Sequence, residues 1–330
     1  MKLSDKKHDT HRKILLRLLY FGAQKTRKTW AACTAAEAGF NTILLDMDHG
    51  YHIALDNISP EAQERITLIE CQDSLKAARA SIFLSKFLKS GKVWFDEEEK
   101  KPVLLPQQLN DNCIALDVDR HLNKNTVLIV DSYTALVASI QFQYAKENNI
   151  DLSDALKTEW DGYGWAGRLA SWTLEKLSQL PCHVIVIGHR SIYEKYKGSG
   201  KDRKIDWTRL QVKSVSGPHA MTIGDKFSDI LYFEAQSSIR TTIDTRPGKD
   251  HEGGSRIIPP NQYDWERLKF RDICALGHID LPPKDLPYLD FSIDKELIEA
   301  AQQKASTKAI KPQAKQVKLS GLNSLLKPKT

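Results

Sequence analysis

Five apolar runs recur along the chain with helix-like stretches between them, and this alternation constrains the fold more than any other feature. They are residues 13–22 (ending "LLYFG"), 41–48 ("NTILLDMD"), 66–71 ("ITLIEC"), 125–131 ("NTVLIVD") and 182–190 ("CHVIVIGHR"). Each is short and continuously apolar, the pattern of a strand buried on both faces. The intervening stretch "TWAACTAAEAG" is alanine-rich and closes on Gly39, a residue suited to the end of a helix. "DSLKAARASIFLSKFLKSG" closes in the same way on Gly91, and Pro181 stops "YGWAGRLASWTLEKLSQL". Another helix is expected from Ser132 to about Lys146. Buried strands alternating with helices predict an α/β protein whose mostly parallel sheet carries helices on both faces. Ligands of such sheets bind at the carboxyl ends of the strands, where Gly22, Asp48, Asp131 and His189 all fall.

Two segments break the rhythm. Between residues 91 and 124 short apolar pieces flank the charged "DEEEKKP", which suggests a hairpin or an insertion. "DILYFEA" and "IRTTIDTR" read as a β pair joined at "QSS". The expected organisation is a polar extension over 1–12, one domain over 13–290 and a basic tail over 291–330. From Ala300 onward the tail has seven lysines and no acidic residue, a composition expected to remain disordered. Its "SGLNSLLKPKT" offers three leucines to a partner, although a purely solubilising tail is the equal alternative.

Composition narrows the class. A chain that is 41% apolar and 27% charged reads as globular, and no apolar run reaches the roughly 18–20 residues of a membrane span. The start "MKLSDKKHDTHRK" has no apolar stretch of the secretory kind. Five scattered cysteines without CxxC spacing argue against structural zinc and disulfides and fit a reducing cytoplasm. The net charge is +6.

The chemistry gathers at four strand ends. Residues Gly22, Ala23, Gln24, Lys25, Thr26, Arg27, Lys28, Thr29 and Trp30 follow a strand and open a helix, in the outline of a phosphate-binding loop. Backbone N–H groups and the helix dipole would cradle the phosphates of ATP. Lys28 would reach the β- and γ-phosphates, and the Thr29 hydroxyl would bind Mg²⁺. Asp131 ends the run "TVLIV" and would hold the same Mg²⁺; an aspartate that only caps the next helix is the plainer alternative. Asp48 is placed to orient the attacking water and His189 to sense the γ-phosphate, the latter set against a purely structural histidine. Asp48, His49 and His52 in one short loop lack a convincing third metal ligand, and Trp160, Trp165 and Trp172 are spaced for packing.

"YFGAQKTRKTW", "ILLDMDHG", "VLIVDSYTAL", "WDGYGWAGRLASWTLEKLSQLPCHVIVIGHRS" and "SGPHAMTIGDKFSDILYFE" together resemble the phage RecA-like P-loop ATPases associated with single-strand annealing. The resemblance covers about residues 13–250. It implies a RecA-like P-loop NTPase core that binds ATP and Mg²⁺, assembles with copies of itself into a ring or filament, and acts on single-stranded DNA. A single-strand-annealing or DNA-binding protein is the implied partner, and the host-cell cytoplasm the implied location. Two positions depart from the family pattern. Arg27 stands where the loop has glycine, either adding a phosphate contact or crowding the loop, so the ATPase is expected to have a degenerate Walker A loop. Asp48 stands where glutamate is usual.

Residues 190–213 hold eight basic and three acidic residues around Tyr193, Tyr196 and Trp207, the composition of a single-strand-binding loop or of a solvated surface loop. The candidate DNA contacts are Tyr193, Lys195, Tyr196, Lys197, Lys201, Arg203 and Lys204. Arg246 and Lys249 are candidates to reach a neighbouring subunit's nucleotide as finger residues. Two rivals stand beside the recombination or replication ATPase. One is a scaffold or assembly protein with weak or no hydrolysis, which Arg27 favours. The other is a helicase or packaging motor.

Overall fold

The computed structural model describes residues 14–150, 160–197, 204–237, 240–248 and 250–291. The N-terminal extension, the basic tail, Lys201, Arg203 and Lys249 lie outside the described residues.

The alternation expected from the sequence is present. β1 (Arg17–Gly22) leads into α1 (Lys28–Glu37) and β2 (Asn41–Asp46), followed by β3 (Ile66–Glu70) and α2 (Arg79–Ser90). After the inserted strands β4 (Lys92–Asp96), β5 (Pro102–Val103) and β6 (Cys113–Asp117) come β7 (Thr126–Asp131), α3 (Tyr133–Glu147) and α4 (Trp160–Ser178). β8 (His183–Lys197) and β9 (Lys204–Val212) follow, then β10 (Asp229–Ala235), β11 (Thr241–Asp244), β12 (Gly254–Ser255), β13 (Gln262–Asp264) and α5 (Phe270–Leu276).

The sheet runs β13-β11-β10-β1-β8-β7-β2-β3, and its six strands from β10 to β3 are parallel. β1 and β7 are separated by one strand, β8. The parallel strands bury both faces because both are covered. Leu19, Phe21, Leu45, Val130 and Val186 face Phe83, Phe87, Leu136, Ile140 and Leu174 of α2, α3 and α4. Leu18, Tyr20, Leu44, Ile129 and Ile187 face the alanines of α1 and Phe270 and Ile273 of α5. The small alanine side chains bring α1, and with it the preceding loop, close against the sheet.

Three local differences from the sequence reading have clear causes. Residues 91–124 form a three-stranded antiparallel sheet, order β5-β4-β6, rather than a lone hairpin. α2 begins at Arg79 and not at Asp73, because Asp73 accepts hydrogen bonds from Ala80 N (3.1 Å) and Ser139 Oγ (2.8 Å) and so anchors a turn. The stretch after His189 is not a loop. β8 continues to Lys197 and pairs antiparallel with β9 as a two-stranded arm, with every residue from Arg190 to Lys197 matched to a partner on β9.

Candidate nucleotide site

The loop between β1 and α1 starts where no side chain fits. A Cβ on Gly22 would lie 2.1 Å from the carbonyl oxygen of Phe233 on the adjacent β10. Beyond it, Thr26 Oγ1 donates to Ala23 O (2.8 Å) and closes the turn. Lys25 and Arg27 are left-handed, at φ 60° and 63°, and their backbone N–H groups donate to no described acceptor. Successive N–H groups in such a turn form a concavity suited to anions, at the positive end of α1. Lys28 is 5% exposed, and its ammonium donates to Ala23 O (2.6 Å), Thr26 Oγ1 (3.1 Å) and Gly22 O (3.4 Å), within the curl of the loop. Burial pushes its pKa down to about 8; Asp131 and Asp48 oppose this and Arg190 adds to it.

Two carboxylates, Asp131 and Asp48, act on this amine through their charge, and Asp46 lies beside Asp131. Asp46 and Asp131 are register partners at the ends of β2 and β7, and Thr29 Oγ1 donates to Asp131 Oδ2 at 2.5 Å. Asp131 is 3% exposed, and burial pushes its pKa up to about 7, with the Thr29 hydrogen bond opposing and Asp46 and Asp48 reinforcing. The peptide bond from Asp131 to Ser132 is cis. Asp48 Oδ2 accepts from Ser132 Oγ (2.5 Å) and pairs with His189 Nε2 (2.9 Å). Burial would raise the Asp48 pKa, but the hydrogen bonds from His189 and Ser132 and the charges of His189 and Lys28 outweigh it and hold it low. Asp48 is therefore a fixed carboxylate. His189 is steadied by its own N–H on Thr134 Oγ1 (3.0 Å), and its Nδ1 is buried without a partner among the described residues.

Five of the predicted residues thus converge: Lys28, Thr29, Asp48, Asp131 and His189. The donors suit Mg²⁺ and triphosphate. Thr29 Oγ1 and Asp131 Oδ2 are hard oxygens, Mg²⁺ keeps few protein ligands beside phosphate and water, and the unpaired His189 Nδ1 and loop N–H groups await further partners. Among the described residues no group of three or more His, Cys, Asp or Glu is placed to hold a metal ion.

Sequence reading misses three participants. Asp46 is wholly buried, accepts from Gln72 Nε2 (2.7 Å) and Gly50 N (3.3 Å), and is raised by burial to about 6. Its signal is the doubled acid of "DMD", of which only the second draws attention. Ser132 reads as a plain N-cap, which it also is for Ala135 N (3.2 Å). Arg190, just past His189, donates to the Tyr232 hydroxyl on β10 (2.7 Å).

The DNA candidates that are described lie on the arm, clear of the loop. Tyr193 meets Trp207 across the strands (ring centroids 5.5 Å apart), and Lys195, Lys197 and Lys204 are exposed. Ile192, Tyr196 and Ile205 are exposed apolar residues on the same arm. Arg246, a candidate finger residue, is half exposed and paired within the chain. Asp244 of its own chain grips it through Nη2 (2.5 Å) and Nε (3.0 Å). Trp165 packs on the core beside Tyr144, in keeping with the packing role expected of it.

A mostly parallel sheet covered by helices on both faces, with a loop of phosphate-binding outline after β1 and an aspartate at the end of β7, defines an α/β protein. Residues 15–257 match the family described as "AAA domain", and the chain belongs to that family. Among solved structures it is similar to one titled "Crystal structure of the RadB recombinase", at 14% identity and a TM-score of 0.34, covering 69% of this chain and 79% of that one. No curated protein matches. Among the described residues no helix is long and apolar enough to cross a membrane.

Proposed function

We propose that this protein is an ATP-binding RecA-like ATPase that acts on single-stranded DNA in phage recombination or replication, as a homo-oligomer working with an annealing or single-strand-binding protein. The observation that carries the reading is the convergence of Lys28, the Thr29–Asp131 pair and the Ser132–Asp48–His189 group on one phosphate-loop mouth. Lys28 and the loop N–H groups hold the phosphates. Thr29 and Asp131 hold Mg²⁺, which when bound neutralises charge on the transferring group. Asp48, kept ionised and fixed by two hydrogen bonds, orients a water by accepting its proton-bearing side. His189 begins the β8 extension, so a contact made at its ring is delivered directly to the arm, whose lysines track a phosphate backbone while its aromatics stack on bases.

Steady-state ATP hydrolysis with and without single-stranded DNA tests this. Stimulated turnover that disappears in Asp48→Asn supports it, and ATP binding without turnover in either condition contradicts it. One observation favours an assembly protein instead, namely the left-handed Arg27 at the glycine position. That reading predicts no binding of ATP at millimolar concentration and an unchanged oligomer when Lys28 is replaced.

A further inference from the structure

Arg27 holds a left-handed conformation (φ 63°, ψ 16°), one that suits glycine better than a residue with a Cβ. Its side chain leaves the loop. The guanidinium carbon lies 5.8 Å from the ring centre of Trp30 and 5.5 Å from that of Trp265, and the two indoles touch at 4.3 Å. Lys269 approaches the Trp265 ring from 5.7 Å. Trp265 is 2% exposed, and both indole N–H groups are buried with no acceptor among the described residues. An unpaired buried donor is destabilising, so two side by side mark a place where an acceptor belongs.

The position of this cluster gives the ligand. Thr29 faces Asp131 and fixes the end of the loop where the metal and the terminal phosphate lie. Trp265 follows β13, and β13 is reached from β1 through β10 and β11, away from β7. A nucleotide whose phosphates start at Asp131 and cross the loop therefore leaves it on the side of Arg27, Trp30 and Trp265. A guanidinium is flat, cannot lose its charge and stacks on π faces, and two indoles behind it hold its plane.

Building on the nucleotide-binding reading, we propose that Arg27, backed by Trp30 and Trp265, is the subsite for the base of the bound nucleoside triphosphate, with a purine as its ligand. The bulky residue at the glycine position is then a specificity element and not a defect.

Calorimetry of the full chain with Mg²⁺ compares ATP, CTP and inorganic tripolyphosphate, for wild type, Arg27→Lys, Arg27→Gln and Trp265→Leu. The expected result is a wild-type preference for ATP over tripolyphosphate of about tenfold or more, the scale of one stacked base, with ATP bound better than CTP. Arg27→Lys keeps the charge but loses the plane, and it should cut ATP affinity several times more than tripolyphosphate affinity and erase the purine preference. Equal losses for ATP and tripolyphosphate would overturn the proposal, because Arg27 would then act on phosphate or on loop shape. So would a wild type that binds ATP no better than tripolyphosphate, a result that leaves the nucleotide site itself standing. A wild type that binds neither ligand removes both readings together. If Trp265→Leu fails to fold, the two Arg27 variants decide the outcome.

Discussion

Position 22 has no room for a side chain, because β10 lies against it where the phosphate-type loop begins. A Gly22→Ala methyl would press into the Phe233 carbonyl and push β1 from β10. It should cost about 1–3 kcal/mol by urea denaturation and abolish ATP binding, since the loop begins at the displaced residue. His183 makes a second prediction. It is 1% exposed, accepts Leu16 N–H at Nδ1 (3.0 Å) and donates from Nε2 to Lys124 O (2.9 Å), so the fold requires the neutral ring; burial pushes its pKa down to about 4. Above pH 6.5 both states are neutral and nothing is lost. As pH falls from 6.5 to 4 the unfolded chain takes up a proton that the folded chain refuses, and stability drops by about 3 kcal/mol in all. His183→Gln should be less stable at pH 7 yet show a shallower decline over that window in pH-dependent denaturation. Lys28 and Thr29 are legible in the sequence because the loop and its helix are contiguous, and Asp131 because it ends a continuous apolar run. Asp46, Ser132 and Arg190 are not, since their roles depend on which strands become neighbours. Nor is the destination of the Arg27 side chain, whose partner Trp265 arrives from beyond β13.

Among the elements, the alternating apolar runs are easy to read because each has to be buried on both faces. The arm is not. Its charges and the "GSG" give residues 190–213 the composition of a loop, whereas the pairing that runs from Arg190 with Val212 to Lys197 with Lys204 is that of a ribbon. A ribbon presents its lysines at fixed spacing. Replacing Lys195, Lys197 and Lys204 with glutamine should weaken single-stranded DNA binding and flatten its salt dependence by about 2 in log–log slope, at about 0.7 for each phosphate no longer neutralised. Tyr196→Ala should weaken binding by about 1–3 kcal/mol at constant slope, because a stacked base releases no counterion. Fluorescence anisotropy over a salt series reads both, and a wild-type curve from the triple variant would remove the arm from the DNA interface.

Across the whole molecule, residues 278–291 run as a strap from α5 to the inserted sheet. Asn41 Nδ2 donates to Pro287 O (2.9 Å), Arg65 Nη1 to Leu286 O (3.2 Å) and the Tyr288 hydroxyl to Glu64 (3.0 Å). Phe291 ends the strap stacked on His121 (4.6 Å) and edge-on to Phe95 (5.7 Å). A chain cut after Phe291 should melt where the full chain does, and one cut after Gly277 should melt well below it, a contrast thermal denaturation measures. The strap closes the amino-terminal ends of β2 and β3; the mouth lies at the opposite, carboxyl ends, where four strands deliver Lys28, Thr29, Asp48, Asp131 and His189. The direct test of that claim is calorimetric titration of ATP into wild type and into Lys28→Ala, each with and without Mg²⁺ and each first shown to be folded. The account predicts Mg²⁺-dependent binding by wild type and none by Lys28→Ala; unchanged affinity in the folded variant, or a wild type indifferent to ATP, would contradict it.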